Sequence, residues 1–137
     1  MDEVLPKAEE IAPFLRERLL PQGELQALYL FGSVARGESR RDSDIDLAFL
    51  ASGSPAPYAV FEAAQDLALR LGHDVDLIDL RRASTVMCAQ VVGNGRRLFT
   101  GNELAAENFE MLALSDYAWL EERRAEAIQS FLSPYRG

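Results

Sequence analysis

Two short stretches decide the fold: LFGSVARG at residues 30–37 and DSDIDL at residues 42–47. The first stretch ends a short apolar run, Leu25 to Phe31, which lies between turn-forming residues and is therefore predicted to be a buried strand. Residues 44–50 are predicted to form a second strand. Because side chains alternate across a strand, Asp44 and Asp46 are expected on one face, with the apolar residues between and after them pointing into the core.

The polar residues of these stretches favour phosphate and metal chemistry. Two carboxylates about 7 Å apart on one strand face repel each other unless a cation lies between them, and hard oxygen ligands suit Mg²⁺ that is shared with substrate phosphates. Gly32 lets a phosphate approach the backbone closely, and the turn can present N–H groups and the Ser33 hydroxyl to it. Arg36 could pair with a phosphate oxygen. Each feature alone is common in unrelated proteins, so their order and spacing carry the information.

The rest of the chain predicts one α/β or α+β domain over residues 1–137, a small mixed β-sheet flanked by helices with a C-terminal helical extension. Pro13 is expected to kink the first helix or to make it restart. The remaining segments are predicted as a helix at 2–20, a helix after the loop at 52–57 that Gly72 ends, a strand at 74–80, a short helix near 84–92, a turn at 93–95, an extended piece at 97–100 and a long helix at 102–132.

The long C-terminal helix carries two apolar faces. One broad stripe is expected to face the core; it contains Met111, Leu114, Tyr117, Ala118, Ala125, Ile128 and Leu132. A different side carries Phe109, Leu112, Trp119 and Leu120. Either the helix is buried on two faces, or this second side is a contact surface for a protein partner, since aromatic residues are typical interface anchors.

Composition limits the possible functions. The 137 residues include 14 Lys or Arg and 22 Asp or Glu, a net charge of −8, which argues against direct binding of nucleic acid. One histidine and one cysteine cannot build a zinc site, and Cys88 is expected to pack as a small hydrophobic residue. No apolar run approaches the ~18 residues of a membrane-spanning helix. We therefore expect a soluble, cytoplasmic domain.

The motif Gly32-Ser33, ten residues, then Asp44-x-Asp46 resembles the signature of the DNA polymerase β-like nucleotidyltransferase superfamily, in the short form of the minimal nucleotidyltransferases. Residues 74–81 and 83–92 and the last helix, with Tyr117 and Glu122-Arg123, further resemble the MntA antitoxins, which act with HEPN-domain toxins. The resemblance covers residues 25 to 128 approximately. Asp76 is the candidate for the third carboxylate of this superfamily, because the apolar pattern around it matches that strand. Asp79 has the opposite parity and is expected to act as a cap at the strand end.

The resemblance implies a nucleotidyltransferase that moves AMP from ATP to a tyrosine hydroxyl of a HEPN RNase toxin and so neutralises it. It implies that Asp44 and Asp46 bind Mg²⁺, and that Asp76 completes the metal site or activates the attacking hydroxyl. Two metal ions about 4 Å apart can stabilise the attacking and leaving oxygens of such a displacement. Two alternatives stay open: an antitoxin that acts by binding alone, and a nucleotidyltransferase for a small molecule such as an antibiotic, for which the chain lacks a substrate domain.

Overall fold

The computed structural model describes residues 7–35, 37 and 44–133, which contain one mixed four-stranded sheet. Its strands are β1 (Leu25–Phe31), β2 (Ile45–Ala51), β3 (Val75–Asp79) and β4 (Arg96–Thr100), in the spatial order β3-β2-β1-β4. β1 is antiparallel to β2 and to β4, whereas β2 and β3 are parallel. The parallel pair is joined by a helix, as parallel connections require. The helices are α1 (Ala8–Leu19), α2 (Gly32–Ala35), α3 (Pro57–Leu71), α4 (Thr85–Asn94) and α5 (Glu103–Leu132).

Both faces of the sheet are covered, so the central strands are apolar at almost every position. Leu47 and Phe49 of β2 belong to a core that α1 and α3 complete, while Ala48 and Leu50 belong to a second core with α4 and the first half of α5. All four side chains are fully buried. Within the described residues, the buried strands and flanking helices that the apolar runs predict are therefore confirmed. Residues 2–6 of the first predicted helix lie outside the described residues.

One local prediction is wrong, and of the two outcomes predicted at Pro13 the structure excludes one. α4 continues through Gly93 and Asn94 and ends at Gly95, so the predicted turn at 93–95 is wrong at its first two positions. The backbone N–H of Gly95 donates to the carbonyl of Val91, which extends the helical hydrogen bonding to this point. Pro13 lies inside one helix, and α1 does not restart there.

The packed face of α5 is not the one that its apolar pattern predicts. Ala106 and Ala113 are buried against the sheet and α4, whereas Met111 is 62% and Leu114 is 48% exposed. The small alanine side chains let the helix approach its neighbours closely, a property that a count of large apolar residues misses. The broad stripe predicted to face the core therefore faces outward.

Three side chains hold α5 to the sheet. The Tyr29 hydroxyl of β1 donates to Glu110 Oε2 over 2.6 Å, and Arg97 Nε of β4 forms an ion pair with the same oxygen at 3.0 Å. Burial, followed by the hydrogen bond to Glu110, raises the pKa of Tyr29 well above its usual value.

Within the described part of the chain, no helix is long and apolar enough to cross a membrane.

Candidate active site

The acidic residues of the Asp-x-Asp motif and those at the start of β3 lie at one edge of the sheet. Because β1 is antiparallel to β2 and β2 is parallel to β3, the end of β1 and the starts of β2 and β3 lie at the same edge. The backbone N–H of Ile45 donates to the carbonyl of Asp74 over 2.8 Å, which joins the two strand starts. Asp44 and Asp74 each precede their strand by one residue, and both are exposed.

The strand register places Asp46 and Asp76 side by side. Asp46 of β2 pairs with Phe31 of β1 on one side and with Asp76 of β3 on the other. Paired residues of neighbouring strands point to the same face, with backbones about 4.8 Å apart. Asp46 is half-buried and Asp76 is exposed to solvent, while Leu77 beside it is buried in the core of the opposite face. The predicted alternation along β3 is therefore confirmed.

Gly32 packs directly against the Asp46 carboxylate. Its φ of +77° lies in the left-handed region, which favours glycine. A Cβ atom added at this position would collide with Asp46 Oδ2 and approach its Cγ to 3.0 Å. The glycine of the Gly-Ser pair thus makes room for a carboxylate of the Asp-x-Asp pair, a contact that ties the two motifs together.

The remaining predicted nucleotide-binding residues follow β1. Gly32 is the first residue of the single-turn helix α2, and Ser33 follows it; both are half-buried. They therefore lie at the same sheet edge as the carboxylates. Arg36 lies outside the described residues.

The edge supplies the donor atoms that Mg²⁺ prefers. Carboxylate oxygens are hard ligands, and Mg²⁺ is usually bound by one or two carboxylates together with water and phosphate oxygens. Asp46 and Asp76, paired by register, fit that requirement, and Asp44 lies two residues from Asp46. In the described ranges, no group of three or more His, Cys, Asp or Glu side chains could hold a metal ion by itself. The three-carboxylate metal site thus stays a prediction.

Asp79, the remaining acidic residue of β3, has a structural role. It is buried at the strand end, where its Oδ1 accepts a hydrogen bond from the Arg81 N–H over 3.0 Å. Its Oδ2 lies 3.7 Å from Arg82 Nε. The Arg81 side chain in turn donates to the Ala51 carbonyl and to Gln26, which links the far ends of three strands. The predicted strand-end cap is confirmed, whereas the arginine bridges could not be read from local sequence.

Residues 9–104 match the family model described as polymerase beta, nucleotidyltransferase. The chain belongs to this nucleotidyltransferase family, and the resemblance seen in its two motifs is confirmed. Over 110 residues it is 44% identical to the protein adenylyltransferase MntA of Shewanella oneidensis strain MR-1, a match that covers 80% of this chain and 78% of that protein.

Solved structures of toxin–antitoxin complexes have the same fold. A chain of a toxin–antitoxin crystal structure with AMP-PNP matches with a TM-score of 0.80 and 40% identity, over 93% of this chain and 99% of that one. A second matching structure contains a tri-AMPylated Shewanella oneidensis HEPN toxin in complex with an MNT antitoxin, with a TM-score of 0.73 and 39% identity over 90% and 94% of the two chains. The predicted nucleotidyltransferase fold is thereby confirmed.

Proposed function

We propose that this chain transfers AMP from ATP to a tyrosine hydroxyl of a HEPN-domain RNase toxin and thereby neutralises the toxin. The carrying observation is the sheet edge at which Gly32 accommodates the Asp46 carboxylate beside Asp76. Relatives support the proposal, because the chain is 44% identical to a protein adenylyltransferase and similar to a chain of a structure that contains a tri-AMPylated HEPN toxin with an MNT antitoxin.

In this proposal the acidic residues at the sheet edge have separate roles. Asp44 and Asp46 would hold Mg²⁺, which would supply charge stabilisation at the α-phosphate of ATP. The tyrosine oxygen attacks the α-phosphorus of ATP, the bond to the β-phosphate oxygen breaks, and pyrophosphate leaves. Asp76 accepts the proton of the attacking hydroxyl or completes the metal site. Ser33, the N–H groups of the turn at Gly32 and the Arg36 side chain bind the phosphates.

We also propose that residues 1–137 act as one domain in the cytoplasm. ATP and the RNA that an RNase toxin cleaves are both cytoplasmic. A transferase that modifies a folded protein can use surfaces of that protein to position the acceptor.

The experiment incubates the HEPN-domain protein from the same genome with the purified chain, ATP and Mg²⁺, and follows its intact mass. We expect mass gains in AMP increments with the wild type, and none with the Asp46→Asn variant. Asp66→Asn is the matched control, because Asp66 is a half-exposed carboxylate whose surface ion pair with Arg18 contributes little. Chelation of Mg²⁺ should abolish the gain. Equal gains with the Asp46→Asn and Asp66→Asn variants would contradict the assigned role of Asp46.

A second candidate function is neutralisation by binding alone. The observation that favours it is the outward-facing apolar stripe of α5, with Met111 62% exposed. An Asp44→Asn/Asp46→Asn variant separates the two functions, because it removes carboxylates at the sheet edge without changing α5. Complete neutralisation of the toxin by this variant would favour binding alone.

A further inference from the structure

α5 exposes an apolar stripe along most of its length, interrupted once at Glu121. We call this surface the outer stripe; it consists of Met111, Leu114, Ala118, Ala125, Ile128 and Leu132. All six residues are exposed, and four of them are large: Met111 at 62%, Leu114 at 48%, Ile128 at 52% and Leu132 at 68%. At 1.5 Å per residue, the stripe extends about 32 Å. Large apolar side chains that are exposed together along one helix face are typical of an interaction site.

The spacing of the outer stripe fits a helical partner. Together with Glu121, its members lie at alternating intervals of three and four residues, which is the a/d pattern of a coiled coil over three heptads. Glu121 occupies the one polar position of the repeat. A polar residue at such a position costs stability and selects one partner and one register. The stripe is therefore complementary to an amphipathic helix that runs along α5.

The charge of α5 specifies that helix further. α5 has seven acidic and two basic residues, a net charge of −5. Both arginines are already paired within the helix, Arg123 with Glu126 at 3.1 Å and Arg124 with Glu121 at 3.0 Å. Glu107 and Glu122 fall beside the stripe and have no ion-pair partner in the part of the chain that the structure describes. Two copies of α5 would repel each other, whereas a basic helix would be attracted.

We propose that the outer stripe docks a basic amphipathic helix of the protein substrate. The proposal rests on the proposed function for the identity of that substrate, the HEPN-domain protein, and it separates docking on α5 from chemistry at the sheet edge. A docking surface outside the active site holds the acceptor protein while AMP is transferred to it. Loss of the stripe should therefore weaken protein binding and leave ATP binding unchanged.

The test compares a Leu114→Glu/Ile128→Glu variant with a Leu69→Glu control. Leu69 lies on α3 and is 83% exposed, so the control adds a glutamate at an exposed leucine outside the stripe. We expect the stripe variant to raise the Kd for the full-length HEPN-domain protein at least ~30-fold, as loss of a binding hot spot does. The KM for that protein should rise in parallel. The control should stay within about twofold, and circular dichroism and ATP binding should be unchanged in both variants, because the substituted side chains are exposed.

Each outcome decides a separate claim. Wild-type affinity in the stripe variant would overturn the docking proposal, and so would a wild-type chain that does not bind the HEPN-domain protein. A wild-type chain that binds this protein but adds no AMP would refute the proposed function alone. A concentration-dependent dimer of the chain that the stripe variant abolishes would identify a second copy as the occupant. A wild-type Kd that does not rise between about 50 mM and 500 mM salt would contradict the basic partner, because salt screens charge attraction.

Discussion

Substitution of Gly32 by alanine tests the contact between the two motifs. The φ of +77° costs an alanine about 1 kcal/mol, which lowers Tm by about 4 °C in a domain of this size. In addition, the new Cβ would overlap Asp46 Oδ2, so the carboxylate must rotate away or the turn must shift. A misplacement of about 1 Å at a reacting centre costs roughly 100-fold in rate. We expect kcat/KM for AMP transfer to the HEPN-domain protein to fall by about that factor.

Gly72→Ala is the matched control for this prediction. Gly72 ends α3 with a φ of +73°, so alanine there has the same backbone cost, but an added Cβ would meet no atom within 4 Å. Thermal unfolding should therefore show the backbone cost alone in Gly72→Ala and at least as large a loss of Tm in Gly32→Ala, with catalysis impaired only in Gly32→Ala. A Gly32→Ala protein with the activity of Gly72→Ala would refute the argument that Gly32 is needed to seat Asp46.

Three further predictions address other parts of the molecule. Since burial and Glu110 raise the pKa of Tyr29, the contribution of Tyr29 to folding stability should be complete below pH 10 and should decline as the pH rises above 10. Urea titrations at pH 9 to 11 should show a shallower decline of the unfolding free energy with pH in Tyr29→Phe than in the wild type, and equal slopes would contradict this. Burial and the nearby Asp116 raise the pKa of the Cys88 thiol, so a thiol-reactive dye should label Cys88 rapidly only after the chain unfolds. Equally fast labelling of the folded chain would contradict the buried position of Cys88. In steady-state kinetics, Asp76→Asn should lower kcat at least ~100-fold with unchanged affinity for the HEPN-domain protein, while kcat of Asp74→Asn should stay within a few-fold of the wild-type value. An equal loss of activity in both variants would contradict the catalytic role assigned to Asp76.

Local sequence patterns predict the bounds of the strands well, because each apolar run ends at residues that interrupt a strand. β1 begins two residues after Gly23 and ends immediately before Gly32, as its apolar run predicts. The motif spacing does not predict which residue of β3 lies beside Asp46, because α3 separates the two strands and their register depends on tertiary packing. Asp76 could be selected only through family resemblance, and the structure adds its pairing with Asp46.

The orientation of α5 could not be predicted from its hydrophobic pattern. The helix has apolar residues on more than one side, and the side that packs is the one with the small residues Ala106 and Ala113. The hydrogen bond and ion pair of Glu110 with Tyr29 and Arg97 also select this side, and they connect positions far apart in the sequence. Of the second predicted side, Phe109 is partly buried, whereas Leu112 and Trp119 are exposed.

The most direct test of the central claim is the intact mass and RNase activity of the HEPN-domain protein co-purified with the Asp44→Asn/Asp46→Asn variant. The account predicts a stable complex in which this protein has its unmodified mass and regains RNase activity once it is released. With the wild-type chain, the same protein should have the mass of one or more added AMP groups and should stay inactive after release. AMP on the protein purified with the double variant, or loss of its RNase activity without any added mass, would contradict catalysis at this sheet edge.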